Sequence, residues 1–251
     1  MSNLTVVVLT KNEEKNIVDV IKNAKLVTDN ILVVDSGSTD KTVELAKING
    51  ANVVDRAWDN NFSAQRNFAL EYVDTDWVLY LDADERMNVE LVNAVNKVVE
   101  ENSDRAFSFR RESIAFGKKF NYGVLCPDYV LRLLKKEHIF WDKQVHECVI
   151  HKCAESKLPG YVEHFTYTDW HQYFTKFNQY TTLWAENAYK SGKRTSFIGA
   201  VGHAVYGFIK MAILKKGILD GWLGIVLAMN HFSYTLNKYV KLIDLQKRRG
   251  K

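Results

Sequence analysis

Proline and cysteine are scarce in this chain. Two of its 251 residues are proline and three are cysteine, with 47% hydrophobic and 25% charged residues. That composition is typical of a folded globular protein without low-complexity segments. The cysteines are odd in number and form no dense disulfide framework, which favours reduced thiols in a cytosolic protein. Residues 1–10 lack a basic segment and a small-residue cleavage site, so we expect no signal peptide.

The two common glycine-rich phosphate-binding motifs are also absent. The chain contains neither GxxxxGK[ST] nor GxGxxG. A nucleotidyltransferase on a similar fold would carry a basic glycine-rich loop after its first strand, and the stretch TKNE at residues 10–13 is not such a loop. That function is therefore kept only as an alternative. Any phosphate is expected to be bound through a metal ion.

Acidic residues are scarce in the C-terminal part. From Lys190 to Lys251, twelve Lys/Arg face two Asp/Glu, a net charge of +10, whereas the first 189 residues carry −6. Two largely apolar stretches, 197–214 and 218–229, are interleaved with aromatic residues and lysines. Neither reaches about 20 uninterrupted apolar residues, so the pattern favours helices lying on an anionic membrane surface over a spanning helix. The alternative is that these helices pack on the catalytic domain or on a second subunit of a homodimer. The sequence contains no nucleic-acid-binding motif, so we expect no nucleic acid to bind.

The first part of the chain alternates between apolar strand patterns and helical patterns. The spacing predicts strands over 4–9, 31–34, 51–54 and 77–81, separated by helices over 13–26, 40–48 and 63–72, with Asp40 and Ser63 as N-caps. This alternation predicts an α/β fold: a Rossmann-like, mostly parallel sheet flanked by helices. In such sheets, ligands bind beyond the carboxyl ends of the strands.

The stretch WVLYLDADERM at residues 77–87 places three acids directly after a buried strand. Asp82, Asp84 and Glu85 would repel one another, so a positive charge must lie between them. A divalent cation is the natural candidate.

Several motifs resemble glycosyltransferase family 2, which has the GT-A fold. They are TKNE at 10–13, VVDSGSTDKT at 33–42, AQRNFAL at 64–70 and LDADE at 81–85. Further stretches resemble the bacterial lipopolysaccharide-core glucosyltransferases within that family: VHE at 145–147, HFTY at 164–167, LKKGILDGWLGIVLA at 214–228 and KYVKL at 238–242.

The resemblance implies a role for individual residues of the donor site. Asp35 would accept a hydrogen bond from uracil, Thr10 and Glu13 would contact the nucleoside, and Arg66 would lie near the base or the diphosphate. Asp82 and Asp84 would form the DXD motif, with Asp84 on Mg²⁺ or Mn²⁺ and Asp82 nearer the ribose or a metal-bound water. His164 is a further candidate metal ligand, and a structural histidine is the alternative.

The resemblance also implies a general base for the acceptor hydroxyl. Glu147 is the first candidate because a carboxylate in a later loop can take the proton as the hydroxyl attacks. Asp142 is the competing candidate, and His146 would position the acceptor or pair with a phosphate.

Together these implications predict an inverting, metal-dependent glycosyltransferase. It would move a hexose, glucose first among the candidates, from a UDP-sugar to a lipopolysaccharide-core or other lipid-linked saccharide. A protein or a cell-wall or capsule polymer is the alternative acceptor, and a non-catalytic scaffold is a third class. We expect a catalytic domain over 1–170 and a helical, basic and amphipathic extension over 171–251. The expected location is the cytoplasm, with peripheral attachment to the inner membrane.

Overall fold

The computed structural model describes residues 3–59, 61–142 and 148–249. The chain divides into two compact units, Met1–Arg111 with Asp128–His164, and Glu112–Pro127 with Phe165–Lys251. The domain boundary expected after residue 170 stays a prediction.

The first unit opens with the predicted alternation of strands and helices. Its elements are β1 Leu4–Thr10, α1 Ile17–Ala24, β2 Ile31–Asp35, α2 Thr42–Ile48, β3 Asn52–Asp55, α3 Phe62–Leu70 and β4 Trp77–Asp82. Strands β3, β2, β1 and β4 are neighbours in that order and pair in parallel. The predicted α/β fold class is confirmed.

Two of the predicted helix caps were placed wrongly. The side chain of Asn61, not Ser63, accepts the hydrogen bond from Ala64 N at the start of α3. Ser63 instead donates to the Asp142 carbonyl at 2.8 Å. Asp40 lies two residues before α2, and its carboxylate accepts from Thr42 N at 3.0 Å, so it closes the turn that leads into the helix rather than occupying the cap position.

The remaining strands extend the sheet in antiparallel pairs. The elements are β5 Glu85–Met87, α4 Val89–Glu100, β6 Ala106–Ala115, β7 Lys118–Lys119, β8 Asp128–Lys135, β9 Phe140–Asp142, β10 Cys148–Ile150 and β11 Glu155–Tyr167. Beyond β4 the strand order continues β8, β6, β11, β5, with β7 pairing with the end of β6 and β9 with β10 in a separate ribbon.

The parallel strands are buried on both faces. Val6 and Val8 of β1 pack into the core that contains α1 and α4, whereas Val7 packs into the core that contains α3. Successive side chains of a strand point to opposite faces of a sheet, so a continuous apolar run suits a strand covered on both sides. This covering leaves the carboxyl ends of the strands as the open edge where loops meet.

The second unit is built mainly from three helices, α5 Trp170–Lys190, α6 Phe197–Ile209 and α7 Gly221–Arg249. A π-helical turn, Lys210–Leu214, continues α6 directly, and a 3₁₀ turn, Gly217–Asp220, leads into α7. Among the described residues, one helical segment, Phe197–Leu214, is long and apolar enough by length and composition to cross a membrane, and 22% of it is buried.

Glycines allow close approach at the start of α7. A Cβ at Gly224 would lie 2.0 Å from the Gly217 carbonyl oxygen, which belongs to the backbone and cannot rotate away. A Cβ at Gly202 on α6, by contrast, would meet nothing within 4 Å. The two glycines therefore differ in the space around them although both lie inside helices.

We predict that Gly224→Ala lowers the free energy of unfolding by about 2–3 kcal/mol, because the added methyl forces the backbone apart. Gly202→Ala is the matched control and should leave stability unchanged or raise it by up to about 1 kcal/mol, since alanine is the better helix former. Urea unfolding followed by circular dichroism measures both. Equal effects of the two substitutions would contradict the tight packing at Gly224.

Candidate active site

Asp82, at the end of β4, lies between two arginines. Its Oδ1 is 3.3 Å from Nη2 of Arg66, and its Oδ2 is 3.1 Å from Nη2 of Arg132. The two guanidinium side chains are 2% and 9% exposed, whereas the Asp82 side chain keeps 31% of its exposure. Arg66 comes from α3 and Arg132 from β8, so three separate elements contribute to this cluster.

Aromatic rings and the Asp82 charge together allow these arginines to be buried. The Arg66 guanidinium lies 5.1 Å from the ring centre of Tyr80 and 4.8 Å from that of Trp141. Such stacking suits a planar, weakly hydrated cation. Burial alone would raise the pKa of Asp82, but Arg132 and Arg66 outweigh it and hold that pKa well below its usual range. Asp82 is therefore a carboxylate at neutral pH.

Asp84 pairs with His164. Oδ2 of Asp84 is 3.3 Å from Nε2 of His164, and both side chains are 18% exposed. His164 lies on β11 opposite Glu85 of β5, so the antiparallel pairing of these strands brings it to the acidic turn. Burial opposes protonation of His164, but the hydrogen bond and the charge of Asp84 outweigh burial and raise its pKa.

Glu85 is the most deeply buried acid of the three. Its side chain is 0% exposed, its Oε2 accepts from Asp82 N at 3.0 Å, and its Oε1 lies 3.7 Å from Arg111. Burial, reinforced by the negative charge of Asp82, raises the pKa of Glu85. Glu85 thus acts inside the turn, where it accepts the hydrogen bond of a backbone amide.

These contacts correct one expectation from the sequence. The charges beside the three acids belong to side chains of the protein: Arg66, Arg111, Arg132 and His164. A divalent cation is not needed to offset the repulsion between the acids.

The residues present fit one hard cation. Among the described residues, no group of three or more His, Cys, Asp and Glu side chains could hold a metal by itself. Mg²⁺, however, is bound by one or two carboxylates together with waters and substrate phosphates. Asp84 is partly exposed and offers such a carboxylate with His164 beside it, whereas both oxygens of Asp82 face guanidinium groups.

Asp35 and Thr10 lie together at the ends of β2 and β1. The Asp35 carboxylate accepts from the Gly37 and Ser38 amides at 2.9 and 2.7 Å, from the Ser38 hydroxyl at 2.5 Å, and from Thr10 Oγ1 at 3.2 Å. Asp35 therefore holds the loop that follows β2. Because two of its four donors are hydroxyls, which rotate, a ligand amide could replace one of them.

The loop after β1 is joined to the loop after β2. Asn12 lies in the left-handed region with φ of 55°. Its backbone N–H donates to Ser38 Oγ at 2.8 Å, and its side-chain Oδ1 accepts from Thr39 N at 2.8 Å. The Glu13 amide donates to Thr42 Oγ1 at 2.7 Å, and the Glu13 carboxylate accepts from Asn16. Glu13 is thus used in part for local structure, and its predicted contact with the nucleoside stays a prediction.

Of the two candidates for the general base, only Asp142 lies within the described residues. Glu147 and His146 lie outside the described residues. Asp142 ends β9, is exposed, and follows Trp141, whose ring faces Arg66. The choice between Glu147 and Asp142 therefore stays a prediction.

Sequence reasoning missed Arg132, and its environment explains why. Its only signal was one cation inside the apolar run VLRLL at 130–134. A buried strand residue of this kind needs a partner. That partner, Asp82, lies 50 residues away in the chain, and pairing of β8 with β4 brings it close. The Arg66 side chain is buried, so its pair with Asp82 is not a surface ion pair.

The comparison with known proteins identifies the family. The sequence model of Glycosyl transferase family 2 matches residues 5–155, so the chain belongs to that family and is a glycosyltransferase. It is 26% identical to an uncharacterised glycosyltransferase of Rickettsia typhi over 98% of this chain and 87% of the relative. It is 27% identical to the lipopolysaccharide core biosynthesis glycosyltransferase LpsC of Rhizobium meliloti over 77% of this chain and 74% of that protein.

Solved structures give weaker likenesses. A mycobacterial protein superposes with a TM-score of 0.46 at 18% identity, covering 65% of this chain and 67% of the other. Glucosyl-3-phosphoglycerate synthase of Mycobacterium tuberculosis, in complex with Mn²⁺, UDP and phosphoglyceric acid, has a TM-score of 0.36 at 24% identity, covering 45% of this chain and 43% of that one.

We predict that Asp82→Asn destabilises the protein at least twice as much as Asp84→Asn. Asp82→Asn removes one negative charge that two buried guanidiniums share, which costs about 2 kcal/mol after allowance for the partial exposure of Asp82. Asp84→Asn weakens one partly exposed pair with His164, which costs about 1 kcal/mol or less. Urea unfolding with EDTA present measures both. Equal losses would contradict the structural role assigned to Asp82.

Proposed function

We propose that this glycosyltransferase takes a UDP-sugar as donor and binds Mg²⁺ or Mn²⁺ with it. It transfers a hexose, glucose first among the candidates, with inversion to a lipid-linked saccharide such as the lipopolysaccharide core. The observation that carries the proposal is the Asp84–His164 pair beside Asp82 and its two arginines. This cluster lies at the end of β4, at the carboxyl edge of the parallel strands, where α/β sheets bind ligands.

The charge of the cluster suits a diphosphate. The cationic groups Arg66, Arg132, Arg111 and His164 are gathered around Asp82, Asp84 and Glu85. An arriving diphosphate would be attracted by the charge of guanidinium groups whose positions are already fixed by Asp82, so little ordering is needed on binding. A cation held by Asp84 would neutralise the charge that builds up on the departing diphosphate.

The nucleoside end of the donor is assigned to Asp35 and Thr10. Asp35 is 1% exposed and ends the strand next to β1, which places its carboxylate at the same edge as Asp82 and Asp84. A carboxylate can accept the ring N–H of uracil, whereas the Watson–Crick edge of cytosine has an acceptor at that ring position. The resemblance to family 2 supports a uridine donor on the same residues.

The transfer needs one proton acceptor and an open face of the sugar. The acceptor hydroxyl oxygen attacks the anomeric carbon while the bond from that carbon to the diphosphate oxygen breaks on the opposite face. Glu147 takes the hydroxyl proton, and UDP leaves with both electrons of the broken bond. Attack opposite the leaving group inverts the configuration of the anomeric carbon. Asp142 is the alternative proton acceptor.

The acceptor class is drawn from the relatives. LpsC of Rhizobium meliloti acts in lipopolysaccharide core biosynthesis by its name, and this chain matches it over 77% of its own length. That likeness supports a saccharide of the lipopolysaccharide core over a protein or a cell-wall or capsule polymer.

Titration calorimetry of UDP into the purified protein tests the donor site. With Mn²⁺ present we expect binding, and with EDTA we expect the affinity to fall about a hundredfold, since a metal bridging two phosphates contributes several kcal/mol. Asp84→Asn should cause a similar loss with Mn²⁺ present. CDP should bind at least about tenfold more weakly than UDP, because cytosine presents an acceptor at the ring position where uracil presents the N–H that Asp35 would accept.

Asp29→Asn is the control, because Asp29 is an exposed acid that precedes β2 and lies at the opposite edge of the sheet. It removes the same charge and should leave UDP binding unchanged. Absence of UDP binding in every condition would contradict the uridine donor. Binding that is indifferent to both EDTA and Asp84→Asn would contradict the metal.

A further inference from the structure

The helical segment Phe197–Leu214 buries small residues and exposes large apolar ones. Its buried positions carry the small residues Ala200, Ala204, Gly207 and Ala212. Its large apolar side chains point outward instead, with Ile198 83%, Tyr206 58% and Ile213 58% exposed. A helix on the surface of a water-soluble domain normally buries its large apolar residues and exposes polar ones. The segment is therefore built for an apolar environment outside the protein.

The outward residues share one side of the helix. Ile198, Val205 and Ile209 follow at intervals of seven and four residues, a spacing that places side chains on the same face. The exposure of apolar residues continues through the next turns and into α7. We call the following set the apolar face: Ile198, Val205, Tyr206, Ile209, Ile213, Leu214, Ile218, Leu219, Trp222, Ile225 and Met229. Exposed apolar groups in such number mark a binding surface.

The charge around the apolar face has one sign. Between Glu186 and Asp244 the sequence contains a single acid, Asp220. Asp220 is 5% exposed, and its carboxylate accepts from the backbone amides of Asn121 and Tyr122. No exposed carboxylate therefore comes from this stretch.

The exposed cations are three lysines near the apolar face, Lys210, Lys215 and Lys216. Three more basic residues, Lys190, Lys193 and Arg194, precede the helix and are also exposed. Apolar side chains accompanied only by cations complement a bilayer that carries anionic headgroups.

We propose that the apolar face inserts into the surface of an anionic lipid bilayer, with the Phe197–Leu214 helix lying in the plane of the interface. A second copy of this chain fits less well, because a two-fold contact would bring Lys210, Lys215 and Lys216 against the same lysines. Interfacial binding is favoured over spanning, because basic residues flank the helix at both ends and Lys210 interrupts it. The inference does not depend on which sugar donor is used.

Co-sedimentation of the full chain with vesicles tests this proposal. We expect the protein to partition onto phosphatidylcholine vesicles that contain phosphatidylglycerol far more strongly than onto phosphatidylcholine alone. The triple substitution of Lys210, Lys215 and Lys216 by Gln should lower the partition coefficient about a hundredfold, as each lysine near an anionic surface contributes about fivefold. Replacing Ile198 and Ile213 by Ser should lower it at least about a hundredfold if both side chains insert.

Two controls match these variants. Lys22, Lys25 and Lys47 are exposed lysines of the first unit, and their replacement by Gln changes the net charge equally without touching the apolar face. Ile48→Ser removes an apolar side chain that is 72% exposed on the first unit. Both should leave vesicle binding unchanged.

Fluorescence gives a second readout that a purely electrostatic contact would not change. Trp222 is 69% exposed and belongs to the apolar face. Anionic vesicles should shift the tryptophan emission to shorter wavelength in the natural chain, and Trp222→Phe should remove that shift.

Three results would overturn the proposal. One is equal, weak partitioning onto both kinds of vesicle. Another is a dimer in light scattering that Ile198→Ser dissociates, with no vesicle binding, since that assigns the face to a second copy. The third is protein from cell membranes that resists alkaline carbonate extraction, since that indicates a spanning helix.

Discussion

The ion pairs of Asp82 with Arg66 and Arg132 are the interaction on which the candidate site depends. Two guanidinium groups are buried against the last parallel strand, where loss of hydration would otherwise exclude them. The Asp82 carboxylate supplies the counter-charge, and the rings of Tyr80 and Trp141 supply faces on which Arg66 stacks. Because the three charges come from α3, β4 and β8, the cluster also fixes how these elements meet.

This arrangement separates the roles of the acids in the LDADE stretch. Asp82 forms ion pairs with two arginines, and Glu85 accepts a hydrogen bond from the backbone of the turn. Asp84 pairs with His164, and it keeps part of its surface exposed. Asp82 thus orders the site, Glu85 shapes the turn, and Asp84 is the acid to which we assign the ligand. The repulsion between like charges is offset by the protein before any substrate arrives.

Much of the first unit could be predicted from sequence because its signals are local. Apolar runs such as VVVL at 6–9 and the helical spacing of Ile17, Val20 and Ile21 mark elements that tertiary packing only completes. The N-cap of α3 was misplaced by two residues, since Asn61 and Ser63 both have side chains that cap helices. Arg132 was missed because its partner comes from a distant strand. The exposure of the large apolar residues of α6 could not be predicted, because composition alone does not reveal which side of an apolar helix faces outward.

We propose that Asp84 holds a divalent cation against the diphosphate of a uridine nucleotide. Anomalous diffraction at the manganese absorption edge, from crystals grown with Mn²⁺ and UDP, tests it most directly. We expect one anomalous peak within coordination distance of the Asp84 carboxylate, with the diphosphate on the side of that peak that faces Arg66 and Arg132. A bound UDP with no peak at Asp84, or a peak that lies elsewhere, would contradict it.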